Sequence, residues 1–351
     1  MAKSLSFVLP GDLDTRTGGY GYDREIIAGL RELGWEIDVH SLDGSFPFPS
    51  AAAIESARTT LAALPENRLV IVDGLAFGAM PELAEAEARR LKLVGLVHHP
   101  LALESGLTRE QSEAFTTAER RALATTRAVI VTSPATSTTL RDYGVPAGHV
   151  TVVEPGTTVA PAASGSGSST LALVCVASIT ARKGHDLLFD ALAELKAFDW
   201  RLDCIGGTMG DSRLLGRLRD QLHRHGLLER VTFSGEGDDA MVARGYAAAD
   251  LFVLPTRYEG YGMVVAEALA RGLPVVSTRT GAIAELVGEQ AGLIVPPGDM
   301  SALRDALRRI FSDAGLRASL REGAIAVRSR LPRWQDSARK LATLLEGVIH
   351  A

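Results

Sequence analysis

Residues 251–271, LFVLPTRYEGYGMVVAEALAR, contain a strand, a turn and a helix in succession. Leu251–Pro255 is a short apolar run of the kind buried on both faces of a parallel sheet. A loop with Gly260 and Gly262 follows, and Gly262–Arg271 has helix-forming composition. Strand, glycine turn and helix form the repeating unit of an α/β fold, whose ligands collect outside the carboxyl ends of the strands. Glu267 stands inside MVVAEALA, with apolar neighbours on every side of a helix. Burying a carboxylate is costly unless it is hydrogen-bonded or paired. A ligand hydroxyl pair such as a ribose diol would supply those bonds; a solvent-facing side chain or a nearby Arg is the alternative. Glu259 lies in the loop before this helix, and the amides of Gly260, Tyr261 and Gly262 open it. Amides at a helix N-terminus suit an anion such as a diphosphate.

The same alternation extends both ways. Upstream in the second half come a strand at Leu171–Ala177, a helix at Gly184–Leu195, a strand at Trp200–Ile205, a helix at Asp211–His225, a strand at Val231–Ser234 and a helix at Met241–Ala248. Downstream are a strand at Val275–Ser277 and a short helix near Ala282–Val287. The first half repeats the pattern: strands at Leu5–Leu9, Ile37–His40, Leu69–Val72, Leu93–Val97, Ala128–Thr132 and Val150–Val153, and helices near Tyr22–Leu33, Met80–Leu91 and Thr108–Thr125. Between the halves, Ala160–Thr170 (APAASGSGSST) reads as a flexible linker with almost nothing to bury. The expected architecture is α/β, with two doubly wound, Rossmann-like parallel-sheet domains over residues 1–160 and 161–333, facing each other across a cleft. An amphipathic helix at about 334–351 is expected to pack back on the first.

The chain has 351 residues, 46% of them hydrophobic and 23% charged, enough for two cores. Its formal charge of −5 argues against a dedicated nucleic-acid binder. Residues 1–165 carry 14 Lys and Arg against 20 Asp and Glu, which disfavours adhesion of that half to an anionic membrane. Cys175 and Cys204 lie in apolar runs and read as buried reduced thiols. No apolar run approaches a membrane span, and the opening MAKSLSFVLPG is too short for a signal segment, so a cytoplasmic location is expected.

Arg182-Lys183-Gly184 follows the strand LALVCVASI. Two cations at a strand end can neutralise a diphosphate leaving group; a solvated basic turn is the bland alternative. Gly18-Gly19 lies between the first strand and its helix, without the spacing of a dinucleotide fingerprint. Asp12-Leu13-Asp14 is read as loop chemistry, and no metal is expected. His98-His99 ends the strand Leu93–Val97; adjacent side chains on an extended chain point apart, so at most one faces a site there. Glu104 is read as a surface carboxylate, with acceptor contact as the alternative. Gly206-Gly207 and Gly235-Glu236 are strand-end turns.

The spacing Glu259-x7-Glu267, in the ordered context ADLFVLPTRYEGYG, EALARGLPVV, Thr280-Gly281 with Glu285, and GLIVPPGD, resembles the E-x7-E motif of the family 4 retaining glycosyltransferases. These have the GT-B architecture and include enzymes similar to glycogen synthase and phosphatidylinositol mannosyltransferases. The resemblance covers most of residues 170–310 and, more weakly, the first half. It implies that Glu259 meets the donor sugar, that Glu267 binds ribose hydroxyls, and that the loop amides of Gly260, Tyr261 and Gly262 hold the diphosphate. It also implies that Gly18-Gly19 approaches the diphosphate from the other domain. Lys183 matches a family Lys, whereas Ser178 stands where relatives have an Arg; either Arg182 substitutes or phosphate is held more weakly. Relatives carry a His near the sugar's primary hydroxyl; His99 fits that pattern better, with His98 in reserve. Gly206, Gly207, Gly235 and Glu236 would lie near the nucleobase.

The function so implied is transfer of a hexosyl group, with retention, from a UDP- or GDP-linked sugar to an unidentified acceptor. His99, Glu259, Lys183 and Arg182 would be catalytic, with no cofactor and no metal. The acceptor pocket is expected around Gly11–Tyr22, Leu42–Pro49 and His98–Gly106, with a lean toward a soluble neutral or cationic molecule. A sugar-nucleotide epimerase, a phosphorylase or a catalytically weak sugar-nucleotide-binding protein are the alternatives.

Overall fold

The computed structural model describes residues 3–104, 106–208 and 212–350. It divides into two compact units, Met1–Gly156 with Pro332–Ala351, and Thr157–Leu331. The boundary thus falls a few residues before the expected 160, and the expected linker is not a free tether. Within the second unit, the Ala163 N–H donates to Arg271 O (2.8 Å) and its carbonyl accepts from Arg321 (2.6 Å), while Ser166 N–H donates to Asp250 Oδ1 (3.0 Å). Ala160 and Ala163 are both buried. Small residues have little to bury, yet their main chain is held by the Arg271 carbonyl and by the Arg321 and Asp250 side chains, all far away in sequence.

The first unit holds six parallel strands, β1 (Ser4–Pro10), β2 (Glu36–Leu42), β3 (Leu69–Asp73), β4 (Lys92–Val97), β5 (Ala128–Val131) and β6 (Val150–Val152), in the order β2-β1-β3-β4-β5-β6. β3 and β5 are buried at every position, which explains their unbroken apolar sequences. Helices α1 (Gly18–Glu32), α2 (Ala51–Ala62), α3 (Gly74–Phe77), α4 (Pro81–Glu87), α5 (Arg109–Leu123) and α6 (Pro134–Thr139) cross between them. α2 and α6 escape the sequence reading because Ala, Ser and Thr give a weak periodic signal. The C-terminal helix, Trp334–His350, returns to this unit: Trp334 meets the Tyr22 ring edge-on at 5.9 Å, and Lys92 Nζ donates to Val348 O and Ile349 O at the helix end.

The second unit repeats the plan with β7 (Leu171–Val176), β8 (Trp200–Ile205), β9 (Val231–Gly235), β10 (Leu251–Leu254), β11 (Val275–Thr278) and β12 (Gly292–Val295) in the order β12-β11-β10-β7-β8-β9, all parallel. Its helices are α7 (His185–Ala193), α8 (Ser212–His225), α9 (Asp239–Ala248), α10 (Met263–Ala270), α11 (Ile283–Val287), α12 (Met300–Ser312) and α13 (Ala314–Arg328). Asp211, expected to begin α8, lies outside the described residues. The two cysteines are free and buried on neighbouring strands, and burial pushes the Cys175 thiol up to about 12. Both sheets are doubly wound. The order reverses between β1 and β3 in the first unit and between β7 and β10 in the second, and such switch points open a crevice at the strands' carboxyl ends. Among the described residues no helix is long and apolar enough to cross a membrane.

Candidate active site

At the switch point of the second unit, the turn after β7 meets the loop after β10. The first turn tightens into a single 3₁₀ turn, Ala181–Lys183, and leaves through Gly184 at φ 73°. A side chain at Gly184 would be strained in that conformation and would meet the Pro255 carbonyl oxygen at 2.1 Å, so only glycine lets the two loops touch. They are then stitched together. Arg257 N–H donates to Arg182 O (2.7 Å), the Thr256 hydroxyl to the same oxygen (3.1 Å), and the Arg182 guanidinium to Tyr258 O (2.9 Å). Arg257 also forms a two-pronged pair with Asp186 at 2.9 and 2.7 Å.

This stitching brings three expected residues to one point. Lys183 Nζ donates to Glu259 Oε1, and Arg182 Nη1 lies 3.3 Å from the same oxygen. All three side chains are largely buried, at 13%, 15% and 11% exposure for Lys183, Arg182 and Glu259. Two cations on one carboxylate leave a net positive charge with its geometry set in advance. Ser178 stands in the turn after β7, and Arg182 supplies the second cation.

Beside this cluster, α10 starts at Gly262 with φ 95°. None of the described residues accepts from the N–H groups of Gly260 or Gly262. Gly281 backs the loop: a side chain there would sit 2.1 Å from Glu259 O and 2.4 Å from Gly260 O. Glu267 lies in the second turn of α10, where the Tyr246 hydroxyl sits between Glu267 Oε2 (3.1 Å) and Val264 O (3.0 Å). Burial pushes the Glu267 carboxyl up, and Tyr246 and Arg271 oppose that shift. The partner of Oε2 is therefore a buried tyrosine and not an arginine ion pair, on a side chain that is half-buried. Oε1 has no partner among the described residues. Tyr246, on α9, carries no sequence signal beyond an aromatic in an alanine-rich helix. Gly206, Gly207, Gly235 and Glu236 lie together one and two strands away: Gly206 N–H donates to Gly235 O (2.8 Å), and Gly207 O accepts from Ile179 N–H (2.7 Å).

In the first unit, Gly18 and Gly19 open α1, capped by Thr17. Asp12 Oδ1 accepts from Asp14 N–H (2.9 Å), which makes that pair a local turn. The adjacent histidines do diverge. His99 Nε2 is 3.1 Å from Glu104 Oε2. His98 is the one that lies against Gly19, with Cδ2 3.4 Å from where a side chain there would begin. His98 Nε2 is 3.2 Å from Asp23 Oδ1 and 3.2 Å from Asp73 Oδ2. Asp73, a lone acid ending the apolar run LVIVD, could have been found by the reasoning applied to Glu267; Asp23, on α1, has no such signal. Glu119 holds the segment after His99: both of its oxygens lie 3.0 Å from Leu101 N–H, and burial pushes its carboxyl up to about 7.

Two units of this topology define a GT-B-type fold, and solved structures agree. Sucrose-phosphate synthase from Thermosynechococcus elongatus superposes with a TM-score of 0.82 at 22% identity, covering 99% of both chains. HepE of Anabaena in complex with UDP-glucose gives 0.75 at 20% identity, over 98% of this chain and all of that one. Both halves belong to glycosyltransferase families: residues 22–160 match Glycosyltransferase Family 4, and residues 170–313 match Glycosyl transferases group 1. Among curated relatives, the lipopolysaccharide core biosynthesis mannosyltransferase LpsB of Rhizobium meliloti is 32% identical over 50% of this chain and 51% of its own length. Mannosylfructose-phosphate synthase of Agrobacterium fabrum is 32% identical over 62% of this chain and 52% of its own. The chain thus matches about half the length of these relatives.

Proposed function

We propose that this chain is a retaining glycosyltransferase that moves a hexosyl group from a UDP- or GDP-linked sugar to an acceptor, in the cytoplasm and without a metal ion. The observation that carries the reading is the gathering of Arg182 and Lys183 on Glu259 beside the α10 N-terminus. Fixed cations and outward amides are what a departing diphosphate requires, because they need no reorganisation as its charge develops. No carboxylate is read as a nucleophile, so departure and attack take place on the same face, with the diphosphate accepting the acceptor's proton. Glu259 orients the cations and the donor sugar, and Glu267 offers Oε1 to a ribose hydroxyl. The nucleobase is read by the main chain around Gly206, Gly207, Gly235 and Glu236.

The test is a thermal-shift screen of nucleotide sugars, since a ligand of the folded state at 100 times its Kd adds about 2.7 kcal/mol. The best donor is then incubated with acceptor panels in chelator, and the anomeric configuration of the product is read by NMR. An inverted product overturns the mechanism, and conversion of the donor without acceptor favours an epimerase. Glu267→Ala is expected to weaken donor binding by about tenfold, the worth of one charge-assisted hydrogen bond. Wild-type affinity measured by calorimetry would remove Glu267 from the ribose.

A further inference from the structure

The switch point of the first unit carries a charged cluster of its own. Asp23 from α1, Asp73 from the end of β3 and His98 after β4 converge, with the two acids 0% and 2% exposed. One oxygen of Asp73 accepts from Leu75 N–H (2.8 Å), so Oδ2 is the one that faces the ring. Neither oxygen of Asp23 has a hydrogen-bond partner among the described residues, so His98 is what stands against its charge. The other groups around the cluster are engaged elsewhere. Arg24 donates to the Leu13 and Thr15 carbonyls, the Tyr20 hydroxyl to Pro10 O (2.6 Å), and the Tyr22 hydroxyl to Val153 O (3.0 Å). The Tyr22 ring meets His98 edge-on at 5.3 Å.

The imidazole therefore has two different ends. Nε2 is buried between the two carboxylates, whereas Nδ1 has no partner among the described residues and belongs to the part of a side chain that is 18% exposed. A neutral ring protonated on Nδ1 would aim a lone pair at two carboxylates. A neutral ring protonated on Nε2 would leave Nδ1 a bare acceptor. The cation alone sets a positive charge against the two buried carboxylates and makes the open end a donor.

We propose that Asp23 and Asp73 are positioning residues that hold His98 as an imidazolium, so that Nδ1–H is a fixed hydrogen-bond donor to an oxygen of the ligand bound in this unit. The ligand part of this inference rests on the glycosyltransferase reading; the charge of His98 does not. Burial works against that charge, but the two carboxylates outweigh it and push the imidazole up to about 10. Burial pushes the Asp23 carboxyl up to about 6 even beside His98. The ionised Asp23 and the cationic ring thus stabilise each other against burial. His98 then serves as a donor and not as a general base.

The decisive measurement needs neither a variant nor a donor. In protein labelled with ¹⁵N at histidine, both ring nitrogens of His98 are expected to remain protonated up to pH 9; a neutral ring at pH 7.5 overturns the proposal. Asp23→Asn keeps the shape and removes the charge. With the donor found by the screen, its kcat/KM should fall about tenfold at pH 8.5 and return to within about twofold of the parent at pH 6, with the loss in KM. A deficit of equal size at both pH values would mean a structural role and would also overturn it. If no donor is turned over, the titration of His98 still decides its charge, so failure of the enzymatic reading is told apart from failure of this one.

Discussion

Lys183→Ala is expected to lower turnover at saturating donor by roughly 10²–10³-fold, the usual loss when one preorganised charge-stabilising group is removed. Lys183 Nζ and Arg182 Nη1 share Glu259 Oε1, and both cations are more than four-fifths buried. In such surroundings a cation acts on developing phosphate charge with little screening. Donor affinity should fall less than turnover, because Arg182 and the amides at Gly260 and Gly262 remain. Stability should also drop. Breaking a buried pair costs about 3–5 kcal/mol when the partner is left alone, and here Arg182 stays 3.3 Å from the carboxylate, so the loss should be smaller. Single-turnover kinetics and denaturant unfolding on the same preparation separate the two effects. Full turnover in the variant would remove Lys183 from the chemistry.

Gly281→Ala is the second large effect. The residue touches no expected ligand group, yet its added methyl would lie 2.1 Å from Glu259 O and 2.4 Å from Gly260 O, on a backbone with φ 50°. Neither carbonyl can swing away as a flexible side chain would. Overpacking of this kind costs about 1–3 kcal/mol, to which a left-handed backbone adds about 1–2 kcal/mol. The loop from Tyr258 to Gly262 must shift, and with it the carboxylate that gathers both cations. Donor binding is expected to weaken more than tenfold, while circular dichroism keeps its helical signal, because the sheet of the second unit does not depend on this turn. Parent-like donor affinity would show that the loop's position does not govern binding. These effects bear on the loop itself, so they hold whatever acceptor the enzyme uses.

The contrast between these residues explains how much was legible. Lys183, Arg182 and Glu259 could be named from sequence because each sits at a strand end, where local apolar runs and glycines announce a loop. Glu267 could be named because a carboxylate among apolar neighbours on a helix demands a partner. The partner could not: Tyr246 lies 21 residues earlier on another helix, and no periodicity links the two. Asp23 and His98 are likewise 75 residues apart in sequence and meet only because α1 starts and β4 ends at the same edge of the sheet. The linker misled for a complementary reason. Ala160–Thr170 is poor in apolar side chains, but main-chain groups bind as well as any side chain when Arg271, Asp250 and Arg321 come to them.

By itself, then, the order of apolar runs, glycine turns and amphipathic helices determined the α/β class, the two-part plan and the strand-end loops that hold the charged residues, because those signals are local and periodic. Tertiary structure alone decided that Arg182 and Lys183 share one oxygen of Glu259, that Tyr246 answers Glu267, and that His98 rather than His99 lies against Gly19. Each of those depends on which strands become neighbours at a switch point, and that choice follows from the packing of the whole sheet.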